Sequence, residues 1–210
     1  MKVFRRAIET LSSNRRAYIG LNIAFYGLVL CGMAVSMAYP SIQERLLALI
    51  RSGLSKGALA PVRDAYAGGN TVAASVLTLA VNGLIGAFAA ITLPSLLIPF
   101  CGVVCGLYRA GMWGLALAPI GHKMQIVMLP HSLTLILEGQ AYVLAMLGAY
   151  LVGKWFVAPH SAGFATRKQG YIAGVKVNLG LYSLILAVLA VSAVYEAIEV
   201  IAVKQFLAAH

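Results

Sequence analysis

Apolar runs of about one bilayer thickness alternate with short basic segments along this chain of 210 residues. From Ala17 to Ala38 the only strongly polar residue is Asn22. About 20 such residues are enough to cross the hydrocarbon core as a helix. Signal-peptide apolar cores are only about 7–15 residues, so this run is read as a first span, despite the small residues from Ala34 to Ala38. From Thr71 to Ala118 one charge, Arg109, interrupts a stretch long enough for two spans. Pro94 and Pro99 are the expected break between them, because proline removes a helix donor and clashes with the preceding turn. The pattern predicts five spans, at about 17–38, 71–93, 95–118, 128–157 and 177–203, the fourth opened by Pro130.

Two segments have a helical rather than a spanning pattern. Residues 1–16 carry five basic residues and one acid, with Val3, Phe4, Ala7, Ile8 and Leu11 on one side, as in helices that lie in a membrane interface. Over 41–56, Ile42, Leu46, Leu49 and Ile50 recur at helical spacing, with Gln43, Glu44, Arg45 and Arg51 between them. This predicts an interfacial helix ending near Gly53, then a loop through Pro61, Arg63, Asp64 and Gly68-Gly69.

Composition supports the same class. Hydrophobic residues make up 61% of the chain and charged residues 10%, against roughly 25% charged in soluble domains; the mean hydropathy is +0.88. The expectation is an all-α polytopic membrane protein, a single integral membrane domain over 1–210. The net charge of +10 lies at the start and in the connectors, which fits contact with anionic lipid headgroups. No basic surface outside the membrane is large enough for nucleic acid. Nine lysines and arginines fall on the side of the N-terminus and six on the other. The positive-inside rule then predicts a multi-pass cell (inner) membrane protein with a cytoplasmic N-terminus.

Arg109 and Glu138 are the informative exceptions. A charge at the centre of a bilayer costs about 2.5–3.5 kcal/mol, and these two flank a polar connector, Pro119 to Val127, at nearly equal distance. As an antiparallel hairpin they come to one depth, about 15 Å in. They serve either as a lining for an aqueous path or pocket, or as a buried ion pair that fixes helix register. His131 lies two turns before Glu138 on one side of the same helix, which suggests a proton relay or an interfacial histidine. Asn82 falls near the middle of the second span, and Glu196 and Glu199 are i, i+3 neighbours at the polar end of the fifth. Asn82, Arg109, His131, Glu138 and Glu196 are therefore a candidate intramembrane polar cluster.

Other chemistry has little support. Cys101 and Cys105 are one turn apart, which suits a soft metal, but no third ligand is nearby and cysteine also packs as a small apolar residue. Zinc-protease, nucleophile-elbow and phosphate-loop motifs are missing. Neither a catalytic residue nor a cofactor is expected. Gly102 and Gly106, then Ala141, Ala145 and Ala149, recur at four-residue spacing and predict close helix packing. No internal repeat of the inverted-transporter kind is evident.

At Met128-Leu129-Pro130-His131 the chain resembles the stage II sporulation protein M family of membrane proteins. The likeness covers Pro130, His131, Glu138 and the small-residue helix through Gly153, with Asn82-Gly83 as an earlier echo. The family pattern has glycine after the histidine and an acid four positions on; this chain has Ser132 and Leu135 there and carries its acid at Glu138. The resemblance implies a non-enzymatic membrane component, in some relatives working with cell-wall-remodelling partners. The expected function is thus a membrane subunit that assembles with other membrane or envelope proteins, or with copies of itself. The alternative is a permease-like subunit moving a small substrate or lipid along a path lined by Arg109 and Glu138.

Overall fold

Length and apolar composition put four helices across the bilayer, and a fifth, shorter one packs among them. A computed structural model describes residues 2–55 and 60–209, in which every regular element is helical. The basic start is α1 (Lys2–Ser13), and Asn14 separates it from α2 (Arg15–Ala38). The interfacial segment is α3 (Pro40–Ser55); its predicted last residue, Lys56, lies outside the described residues. The expected loop over 57–70 instead contains α4 (Ala60–Ala67), with Pro61 in its first turn, where a missing donor costs nothing. Asn70 caps the next helix by accepting from the Ala73 N–H at 3.0 Å.

That helix is α5 (Thr71–Leu97), which continues through Pro94 and ends just before Pro99, within the predicted Pro94–Pro99 break. Its middle, Val81–Thr92, is wound as a π-helix, and Leu93 donates to the Phe88 carbonyl five residues back. Pro94 falls where the ladder returns to α spacing, so its missing N–H is lost at a discontinuity that already exists. The chain turns at Ile98 to Phe100, around Pro99, with Phe100 in the left-handed region at φ 65°.

α6 (Cys101–Ala116) has 16 residues, about 24 Å of helix, which is short for a lipid-facing span. One face packs closely on protein, while Val104 and Tyr108 are exposed on the other. A Cβ on Gly114 would lie 2.2 Å from the Val29 carbonyl oxygen and one on Gly102 1.9 Å from that of Ile91, so α6 touches the backbones of both α2 and α5. By length and composition four helices are long and apolar enough to cross a bilayer, and α6 is shorter than these.

The polar connector also differs from expectation. α7 (Gly121–Val157) absorbs residues 121–127 and contains Pro130 in its interior, leaving only Leu117 to Ile120 between α6 and α7. Polar residues there mark where the helix leaves lipid, not where it ends. α7 pairs along its length with α8 (Arg167–Ala209), the most extensive contact in the fold. Between Ala141 and Gly153 every α7 residue except Tyr150 is buried, so α7 is the central post. Ala141, Ala145 and Ala149 are all fully buried in it, as their spacing predicted.

Candidate functional site

The predicted polar residues arrive from four helices at one place. A cavity of about 360 Å³ is lined by Asn82 on α5, Arg109 on α6, His131 and Glu138 on α7, and Glu196 on α8. Leu47 and Ile50 of α3, with Val62 and Tyr66 of α4, cover it from the bundle end. Arg109 is seven residues from the end of α6 and Asn82 eleven from the start of α5, about 10 and 16 Å of helix. The site thus lies within the helical bundle, toward the end where α3 and α4 lie.

Arg109 and Glu138 do not pair as the hairpin geometry suggested. Nη2 of Arg109 donates to the Tyr142 hydroxyl at 3.0 Å, and the guanidinium sits 4.4 Å from the Tyr142 ring centroid and 5.3 Å from that of Trp113. Tyr142, one turn beyond Glu138, occupies the position facing Arg109. Gly86 makes room for it: a Cβ there would lie 2.8 Å from the Tyr142 hydroxyl.

Glu138 is 7% exposed and accepts a hydrogen bond from the Asn82 amide. Asn82 lies in the π-helical stretch of α5, a geometry often found at functional positions. Glu196 is a side-chain hydrogen-bonding neighbour of Glu138. One Glu196 oxygen and Nε of Arg109 are buried without a partner. Such groups are costly in a dry interior, so the cavity has polar capacity left over for water or a solute.

His131 is linked to Glu199, not Glu138: Nδ1 lies 2.6 Å from a Glu199 oxygen, which also accepts from Thr134 at 3.5 Å. Glu199 is itself 6% exposed. On the covering helix, the Tyr66 hydroxyl hydrogen-bonds Thr78 at 3.0 Å. Burial, with Glu196 adding to it, pushes that hydroxyl well above its ordinary range, so Tyr66 presents a neutral O–H.

Two parts of the site were not found from sequence. Tyr142 and Trp113 read as ordinary apolar positions; only their helical offset from Glu138 and Arg109, four residues in each case, carried a signal. A second polar network joins α2 to α7. Gln140 accepts from Tyr18 and donates to Asn22 at 2.8 Å and to Tyr26 at 3.0 Å, while Tyr26 donates to the Ile136 carbonyl at 2.9 Å. Tyr18, Asn22 and Tyr26 are spaced by four along one face of the first span, and that repeat was the missed clue. Among the described residues, no group of three His, Cys, Asp or Glu is gathered closely enough to hold a metal ion.

Comparison with known proteins returns no match to a family model, to a curated protein or to a solved structure.

Proposed function

We propose that the protein is a permease-like membrane subunit whose polar cavity admits a small solute or lipid headgroup from the α3–α4 side. The observation that carries this is the convergence of Asn82, Arg109, His131, Glu138 and Glu196 on one cavity of about 360 Å³, a size typical of small-ligand sites. Intramembrane ionisable groups are expensive, and they commonly mark substrate or ion pathways. A purely structural charge pair would bring Arg109 and Glu138 into direct contact; here Glu138 accepts from Asn82, Arg109 donates to Tyr142, and both line the cavity. No step of bond chemistry is assigned to it.

The test is water access. In a protein lacking Cys31, Cys101 and Cys105, Asn82→Cys and Thr78→Cys should react with a membrane-impermeant thiosulfonate at least tenfold faster than the exposed apolar position Val104→Cys. Equal, slow labelling at all three positions would make the cavity dry and remove the permease reading.

A second reading, a non-enzymatic subunit of a larger envelope assembly, is favoured by a separate feature. α7 and α8 have 37 and 43 residues, about 55 and 65 Å of helix, well beyond the roughly 30 Å hydrocarbon core. Their protruding ends, Lys123 and Val127 with Val203 and Leu207, line a groove suited to a partner. The resemblance to the sporulation protein M family points the same way. Crosslinking in cells followed by purification in mild detergent distinguishes it: a monomer with no retained protein partner counts against an assembly role.

A further inference from the structure

At the bundle end away from α3 and α4, a larger cavity of about 710 Å³ opens between the α1–α2 junction and the last turns of α7. Arg15, Arg16 and Lys154 line it together with Ser12, Ser13 and Asn14. None of the three cations has an acidic partner: the ion pairs among the described residues are Arg5–Glu9, Arg63–Asp64 and His131–Glu199. Of the six acids in the chain, only Glu9 lies near this end, and Arg5 already holds it. Three like charges around one cavity repel each other unless an anion is supplied from outside.

The surroundings say what kind of anion. Asn14, which precedes α2 and lines the cavity, makes no side-chain cap to that helix. Lys154 is steadied by the Tyr150 ring, 5.9 Å from its ammonium. Arg15 and Arg16 stand directly before the apolar run that starts at Ala17, which places them at headgroup depth. Beside them α1 exposes Val3, Phe4 and Ile8, an apolar edge suited to the upper part of acyl chains. A zwitterionic headgroup would bring a cation into a site that already has three.

We propose that this cavity binds the phosphate of an acidic membrane phospholipid. Native mass spectrometry of the full chain, with phosphatidylglycerol, phosphatidylcholine and inorganic phosphate as separate probes, tests it. The parent should retain one phosphatidylglycerol at least tenfold more tightly than phosphatidylcholine. A basic residue near an anionic surface is worth roughly a fivefold change in binding, so Arg15→Gln/Arg16→Gln/Lys154→Gln should bind phosphatidylglycerol at least tenfold more weakly than the parent. Lys123→Gln/Lys204→Gln, at the other end, should leave it unchanged. If the triple variant does not fold, Lys154→Gln alone, which leaves the α1–α2 junction intact, should show a loss of about fivefold. Retention of phosphatidylglycerol at parental affinity by the cavity variants, or an equal loss in the control pair, overturns the proposal. Inorganic phosphate stabilising the lipid-free parent as much as phosphatidylglycerol does would overturn the assignment to lipid.

Discussion

The guanidinium of Arg109 rests over the Tyr142 ring, 4.4 Å from its centroid, and donates to its hydroxyl at 3.0 Å. An aromatic face and one hydroxyl stabilise the cation without neutralising it, so the positive charge stays available to the cavity. Tyr142→Phe should remove the hydrogen bond and keep the ring, costing about 1–2 kcal/mol, while Tyr142→Leu should cost more. Thermal melting in detergent measures both. Arg109→Gln and Tyr142→Phe should combine non-additively, by at least about 0.5 kcal/mol. A charge swap between Arg109 and Glu138 should rescue nothing; if it restored parental stability, the two would be a pair after all.

The covering helix is fastened at a helix end. Gln43 is 6% exposed and donates to the carbonyls of Ala116 at 2.9 Å and Ala118 at 2.7 Å, and Ser36 donates to that of Leu115 at 2.8 Å. These are the terminal carbonyls that an α-helix cannot satisfy internally. Gln43→Leu should free α3 and speed thiosulfonate labelling of Asn82→Cys several-fold. An unchanged rate would mean that α3 does not limit access.

Backbone contact makes two glycines of α6, Gly102 and Gly114, intolerant of even one carbon. Gly114→Ala and Gly102→Ala should each destabilise by about 2 kcal/mol or more, since the new methyl meets backbone that has no rotamer to move. Gly20→Ala and Gly27→Ala, where nothing lies within 4 Å, should be neutral or slightly stabilising. Melting temperatures of the four variants, compared side by side, check the contrast.

Gln140 is the hub between α2 and α7. Gln140→Leu should leave Tyr18 and Asn22 without their partner on α7, and cost about 1–2 kcal/mol, at the upper end for hydrogen bonds within membranes. Tyr18→Phe, which removes one bond, should cost about 0.6 kcal/mol. Equal losses in the two would show that Gln140 has no role as a hub.

Helix positions within lipid were legible because burying an unpaired backbone group there is costly and helices satisfy it locally. Helix ends were not. Residues 121–127 are polar, and polarity marks the bilayer boundary without saying whether the helix continues through it, as α7 does. Pro94 and Pro99 bracket the turn, but the change of winding that lets the helix run through Pro94 leaves no trace in the local sequence. The five polar residues of the cavity, and Glu199 beside Glu196, could be selected one by one as misfits in lipid, but which of them would pair could not. Tyr142 and Glu199 are contributed by packing between α6, α7 and α8, so the partner of each charge depends on helix rotation and vertical offset, which one chain's periodicity does not fix.

That rotation has its own determinant. A helix with one face toward lipid is oriented by hydropathy alone, whereas α7 from Ala141 to Gly153 is enclosed by protein on all sides and offers lipid almost no face to turn toward. Its angular setting is instead specified by side chains that each address a different neighbour. Glu138 meets Asn82 on α5, Gln140 meets the tyrosines of α2, Tyr142 meets Arg109 on α6, and His131 meets Glu199 on α8. His131 and Glu138, which line the cavity, thereby also act with Gln140 and Tyr142 as the teeth of a key, and a turn of α7 by one residue would disengage all four at once.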